Sequence, residues 1–306
     1  GYVSNGWSEE FLICDISDFN NIEILATISD GVTGYAHNAW LSESENHLIT
    51  TEETENKTVK IWDIQDYSNI SLVGEYLAKN GLAHNVHVME DLVYISHYTT
   101  GVRIIDIFDP SYPVEIAGYD TYPQDDSEGY YGCWGAFPYS SNGYIYASDM
   151  QNGLHVLEFE PIYAGWFSGN IYDNSGFPIA NNAIITADLD GREFNIESNG
   201  YVNIGMPEGE HTFNVQIGEL DFGNFTINFE AHQIQTGEIY LLGEILQGDP
   251  SGDGVINIVD ILLTINVIIG QSIFNPIEMA SADLNQDDNL NILDIVMIVN
   301  IILGNN

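Results

Sequence analysis

The chain is almost without positive charge. Its 306 residues carry five Lys and Arg together against forty-six Asp and Glu, a formal charge of −41. A surface of that sign repels phosphate backbones and anionic headgroups, which argues against nucleic acid and membrane surfaces as partners. Cysteine is scarce as well, limited to Cys14 and Cys133. The reading adopted is two buried thiols, with pairing left open because the sequence does not show their proximity. No run reaches the ~18 consecutive apolar residues of a membrane span. The greasiest stretch, residues 261–269, is short and follows Asp260. An initiator Met and a signal-peptide pattern are missing too, so residue 1 is expected to be a processed or engineered end. Nucleophile elbow, phosphate-binding glycine loop and HExxH motif are all absent from the sequence.

What is present is the material of packed cores: 44% apolar and 12% aromatic residues. That composition argues against disorder despite the charge. The length suits two or three domains.

The most informative stretch is the tail. It reads GDPSGDGVINIVDILLTINVIIG, a linker, then ADLNQDDNLNILDIVMIVNIILG. Asp249, Ser251, Asp253, Asn257 and Asp260 occupy the first, third, fifth, ninth and twelfth places of a calcium loop. Asp283, Asn285, Asp287, Asn291 and Asp294 repeat the pattern 34 residues later. Val255 and Asn289 fall at the seventh place, where a backbone carbonyl serves. Alternating oxygen side chains on a tight turn supply the hard donors that calcium requires. Gly254 stands where the backbone turns sharply; Asp288 replaces it in the second loop, at some conformational cost. A plain acidic N-cap before a helix is the simpler reading of one such loop, but two in register make it untenable. The cofactor expected is calcium, two ions.

Each loop runs straight into an apolar helix, with Asp closing the loop and no matching helix before the first. This twice-repeated loop-then-helix unit, an F-hand, resembles a type I dockerin. The resemblance implies a cohesin domain as partner. It also implies that the pairs before each closing Asp, Ile258-Val259 and Ile292-Leu293, help select that partner.

The first half repeats as well. FLICDISDFNNIEILATI, VKIWDIQDYSNISLVGEY and VRIIDIFDPSYPVEIAGYD align on Asp15, Asp63 and Asp106, with LHVLEFEP and Glu158 following. Between them lie pairs of strands around the polar turns 42–46, 90–91 and 140–143. Such a period with short alternating strands marks propeller blades of four antiparallel strands. These lines, with Ala36-His37-Asn38, Ala83-His84-Asn85 and YISHYTTGVRIIDIFDP, resemble LVIVD-repeat β-propellers. About three and a half units are present, so the expectation is a partial propeller whose N-terminal blades are missing or come from another chain.

His37 and His84 on first strands, and Glu52, Glu53, His97 and Asp149 near the ends of second strands, recur at equivalent positions. They are expected to converge at one mouth of the propeller. Two readings stand: a metal or acid–base site, or polar residues that satisfy backbone groups between blades. The second is preferred.

The middle, GNIYDNSGFPIANNAIITADLDGREFNIESNGYVNIGMPEGEHTF, has short strands separated by Gly turns. It resembles carboxypeptidase-regulatory-like domains, transthyretin-type β-sandwiches. Asp173, Asp188 and Asp190 are read as turn residues bonding their own backbone, not as metal ligands.

The expected architecture is therefore mainly β with a small α domain at the C-terminus. A partial propeller spans 1–160, a sandwich 161–247 and a dockerin 248–306. The function expected is a non-catalytic extracellular or cell-surface binding protein, displaying an unknown ligand's site on the propeller and docked through calcium to a cohesin. The alternative is a secreted hydrolase-like propeller enzyme with its site around His37, His84 and His97, targeted to a complex by the dockerin.

Overall fold

The computed structural model describes residues 1–79, 81–124, 127, 129–173, 176–179, 182–188, 190–217, 220–241, 246–252, 254–287 and 289–304. The chain is mainly β with a helical C-terminal region, and it falls into two compact units. One comprises 1–165 with 205–208 and 230–233; the other comprises 166–204, 209–229 and 234–306.

The first unit holds four antiparallel sheets in sequence order. The first contains β1 (Tyr2–Ser4), β2 (Phe11–Asp15) and β3 (Glu23–Ile28). The second contains β4 (Ala36–Leu41), β5 (His47–Glu52), β6 (Val59–Asp63) and β7 (Ser71–Tyr76). The third contains β8 (Asn85–Met89), β9 (Leu92–Ser96), β10 (Val102–Asp106) and β11 (Val114–Tyr119). The fourth contains β12 (Cys133–Phe137), β13 (Ile145–Asp149) and β14 (Gly153–Leu157). Each sheet is a meander in which every strand pairs with its neighbour in sequence.

The sequence repeat becomes a structural one. Asp15, Asp63 and Asp106 end their strands and accept the N–H two residues on, from Ser17 at 2.8 Å, Gln65 at 3.0 Å and Phe108 at 2.8 Å. Asp18, Asp66 and Asp109 repeat this turn three residues later. A carboxylate that caps its own backbone stops a strand and starts a turn. Each of the three strands also carries a one-residue register shift just before its Asp, at Ile13/Cys14, Ile61/Trp62 and Ile104/Ile105. Such bulges sharpen local twist.

Apolar side chains from successive sheets meet. Phe11, Ile13, Leu48 and Trp62 form one cluster, and Ile49, Ile61, Val86, Val93, Ile95 and Ile105 another. Strand β8 shows the pattern that selects this: Val86 and Val88 are buried while Asn85 and His87 alternate with them. Full burial of each such side chain contributes about 1.5–3 kcal/mol. Cys14 and Cys133 are both buried and unpaired.

Further along the chain, β15 (Ala164–Tyr172), β16 (Ile184–Ala187), β17 (Glu193–Asn195), β18 (Tyr201–Pro207), β19 (Gly209–Ile217), β20 (Leu220–Phe229) and β21 (Ile234–Tyr240) make two sheets, most of whose residues belong to the second unit. Their orders are β18-β15-β21 and β17-β16-β19-β20, with β15 and β21 parallel. Asp173 accepts the nearby Phe177 N–H and Asp190 the Arg192 N–H, as turn residues should. Among the described residues, the Asp188 carboxylate accepts the Asn214 side-chain amide.

The C-terminal helices are α1 (Ile258–Ile268), α2 (Pro276–Ala282) and α3 (Ile292–Ile302). Helix α2 corrects the sequence reading, which placed only a linker between the two loop–helix units. Its start was signalled locally. Asn275 accepts the Glu278 N–H at 2.9 Å, Glu278 accepts the Asn275 N–H at 2.8 Å, and Pro276 opens the first turn.

Candidate metal centres

The two acidic loops build the same local device. Asn257 caps α1 by accepting the Val259 N–H at 2.8 Å, and Asn291 caps α3 by accepting the Leu293 N–H at 2.9 Å. The closing carboxylates complete both boxes, since Asp260 accepts the Asn257 N–H at 2.8 Å and Asp294 the Asn291 N–H at 2.9 Å. A simple capping box would end there. Here the second oxygen reaches back across the loop: Asp260 accepts the Ser251 N–H at 3.1 Å, and Asp294 the Leu284 N–H at 3.1 Å. The opening carboxylates also turn inward. Asp249 accepts the Ser251 hydroxyl at 2.8 Å and the Gly254 N–H at 2.7 Å, and Asp283 accepts the Asp287 N–H at 3.3 Å. Gly254 has φ +82°, the sharp turn expected of it. Asn257 and Asn291 also donate to the seventh-place carbonyls of Val255 and Asn289, at 2.9 and 2.8 Å. Asp253 and Asp288 lie outside the described residues.

Burial and charge decide what such loops can hold. Asp249, Asp260, Asp283 and Asp294 are all buried, Asp260 and Asp294 completely. Residues 247–304 contain no Lys, Arg or His. Buried carboxylates need a compensating cation, and this segment supplies none of its own. The donor set is all oxygen, which suits a hard divalent ion such as calcium. The fit is good.

Outside each loop, the helices keep apolar surface in water. Ile258 is 63% exposed and its counterpart Ile292 64%. Val259 and Leu293, and one turn on Leu262 and Val296, are exposed in the same way. Only Ile261 and Thr264 of α1, and Ile298 of α3, join the closing carboxylates in the interior.

A second cluster stands in the first unit. His37 sits in the register shift between β4 and β5, and His84 immediately precedes β8. Their rings lie 4.4 Å apart. Glu53, just beyond β5, approaches His37 Nδ1 at 3.1 Å and His84 Nε2 at 3.9 Å. Tyr98 donates its hydroxyl to the Glu53 carboxylate. Burial pulls the His84 imidazole down to about 4, so the ring is neutral at neutral pH.

The other residues expected at this mouth go elsewhere. Glu52 pairs with the buried Lys60 and accepts the Thr33 N–H at 2.7 Å. His97 is buried against the Thr100 hydroxyl at 2.9 Å. Asp149 takes the Thr121 hydroxyl at 2.8 Å and the N–H groups of Gln151 and Asn152. Each is engaged by other partners, His97 within its own turn and Glu52 and Asp149 with side chains of other segments, which is why recurrence in sequence did not become convergence in space. Trp134 was missed. It donates its indole N–H to His84 Nε2 at 2.6 Å. The signal was available, because Cys133-Trp134-Gly135 starts its sheet where Ala36-His37-Asn38 and Ala83-His84-Asn85 start theirs.

Comparison with known proteins bears on two segments. Residues 247–303 match the sequence model of the dockerin type I domain. Residues 80–121, which span the third sheet, match that of the LVIVD repeat. Type I dockerin domains generally bind calcium and imply a cohesin-bearing complex. Proteins that carry them are usually extracellular or at the cell surface. Among curated proteins none matches the chain. The crystal structure of a protein described as a candidate 6-phosphogluconolactonase from Bacteroides uniformis covers 74% of this chain and 70% of its own, at 10% identity and TM-score 0.40. That likeness is too slight to argue fold or activity. No helix among the described residues is long and apolar enough to cross a membrane.

Proposed function

We propose that this chain is a non-catalytic extracellular or cell-surface binding protein that is docked onto a cohesin by a dockerin segment loaded with two calcium ions. Asp249, Ser251, Asp253, Asn257 and Asp260 with the Val255 carbonyl hold the first ion. Asp283, Asn285, Asp287, Asn291 and Asp294 with the Asn289 carbonyl hold the second. In this reading the four sheets are blades of an LVIVD-type propeller over 1–160. The two sheets of the middle segment form a carboxypeptidase-regulatory-like sandwich over 161–247, which serves as a spacer.

One observation carries the reading. Two loops of buried carboxylates, in a segment without a single base, each lead into a helix that leaves the same apolar pair in water. Isolated exposed apolar residues need no explanation, but a duplicated set at matching positions does. Filling the loops fixes the start of each helix, and with it the presentation of Ile258-Val259 and Ile292-Leu293 to the partner. Because the two copies nearly match, either helix can face the same cohesin surface. Pull-down of cohesin domains by the full chain, with calcium and with chelator, tests this reading.

A further inference from the structure

Two histidines and a glutamate come together in the first unit, His37 from within β4, Glu53 from just beyond β5 and His84 from just before β8. His37, Glu53 and His84 each offer a donor atom, and all three atoms lie within 4.8 Å of one another. A tetrahedral zinc ion with bonds of about 2.0–2.1 Å places its ligand atoms roughly 3.3 Å apart. His37 Nδ1 lies 3.1 Å from Glu53 Oε2 and His84 Nε2 3.9 Å from Glu53 Oε1, so a turn of the carboxylate brings one oxygen toward both rings. Small side-chain rotations close the remainder.

The surroundings are those of a ligand set. A metal-bound histidine donates its other ring N–H to a carbonyl or carboxylate, which fixes the tautomer. His84 Nδ1 lies 2.6 Å from the Trp134 carbonyl. A carbonyl only accepts, so the proton sits on Nδ1 and the Nε2 lone pair faces the cluster. The Asn85 side-chain amide packs beside the same Nδ1 at 2.8 Å. Glu53 is oriented by the Tyr98 hydroxyl in turn. The Nε2 lone pair is occupied by the Trp134 indole N–H at 2.6 Å. Trp134 is 52% exposed, so its ring can leave without opening the core.

We propose that His37, Glu53 and His84 form a site for a divalent transition ion of the zinc class, with one coordination position left open and the Trp134 indole as its gate. The ion enters by replacing that indole N–H on His84 Nε2. Two imidazoles and one carboxylate suit Zn²⁺, whereas calcium demands six to eight oxygens. The chain therefore sorts its metals by donor type: oxygen loops at the C-terminus, and a nitrogen-rich site among the sheets.

The test uses the full chain in excess calcium, so that the oxygen loops are filled, and titrates it with Zn²⁺ by calorimetry and tryptophan fluorescence. One zinc per chain should bind, with a change in emission as Trp134 moves. His37→Gln and Glu53→Gln should each weaken binding more than tenfold, and Tyr98→Phe by about tenfold or more. Melting curves without zinc separate loss of a ligand from loss of the fold. Trp134→Phe leaves all three ligands in place and deletes only the competing donor, so it should bind zinc more tightly and without the emission change. Absence of saturable zinc uptake in excess calcium would overturn the proposal. So would uptake indifferent to His37→Gln and Glu53→Gln, or weakened by Trp134→Phe.

Discussion

Asp260 ties Ser251 to the start of α1: its Oδ1 accepts the Ser251 N–H at 3.1 Å while its Oδ2 accepts the Asn257 N–H at 2.8 Å. One carboxylate thus closes the loop and caps the helix, and Asp294 does the same for Leu284 and Asn291. Helix start and proposed ion site share a side chain, so ion binding and helix formation should be linked.

Removing calcium should loosen this segment selectively. Emptied loops leave carboxylates crowded against one another, and metal binding is then coupled to ordering. Hydrogen exchange of the full chain in excess chelator is expected to speed up across 248–304 while the strands of both units keep their protection. Unchanged protection of α1 and α3 would contradict the coupling.

Asp260→Ala and Asp294→Ala should each abolish one ion site and, because two backbone N–H groups lose their acceptor, cost about 1–3 kcal/mol beyond the lost metal. Counting bound calcium by equilibrium dialysis checks the first effect: each variant retains one ion, and the double variant none. Denaturation in chelator checks the second.

Lys60 and Glu52 form a buried ion pair between β6 and β5. Lys60→Ala strands the Glu52 carboxylate in the interior, for which a loss of about 3–5 kcal/mol is expected. Replacing both partners with apolar residues of similar volume should restore most of it. Chemical denaturation of the single and double variants reads the difference.

Burial also pulls the His97 imidazole down to about 4 from its ordinary 6.5. Between those values the unfolded chain binds a proton that the folded chain refuses. The contribution to stability is therefore complete above the unfolded value and is lost as pH falls toward the folded one, with a limiting slope of about 1.4 kcal/mol per pH unit. Stability measured from about pH 7 down to about pH 5 should fall less steeply for His97→Gln than for the native chain.

Much of this was legible because it is local chemistry. Asp15, Asp63 and Asp106 make the same turn wherever they occur, and a side chain that bonds its own backbone two residues on needs no tertiary context. The two acidic loops and the capped helices that follow them were legible for the same reason. Helix α2 was missed although Asn275, Pro276 and Glu278 announced it, because a short segment between two stronger signals was read as a connection. The His37–Glu53–His84 cluster was legible only in part. Recurrence placed candidates at equivalent strand ends, but each side chain's fate turned on its own loop: Glu53 reaches the histidines, while Glu52, one residue earlier, turns to Lys60. Alternation along a strand sends adjacent side chains to opposite faces, and a bulge reverses that parity. No sequence period records where such reversals occur.

Docking through the duplicated apolar pairs should depend on calcium. Calorimetric titration of the full chain with cohesin domains, in calcium and in chelator, tests it most directly. Binding is expected in calcium only, weakened when Ile258 and Val259 or Ile292 and Leu293 are changed to Lys, and lost when both pairs are changed. Absence of calcium-dependent binding to every cohesin tried, or binding undiminished in the variant with all four changes, would contradict it.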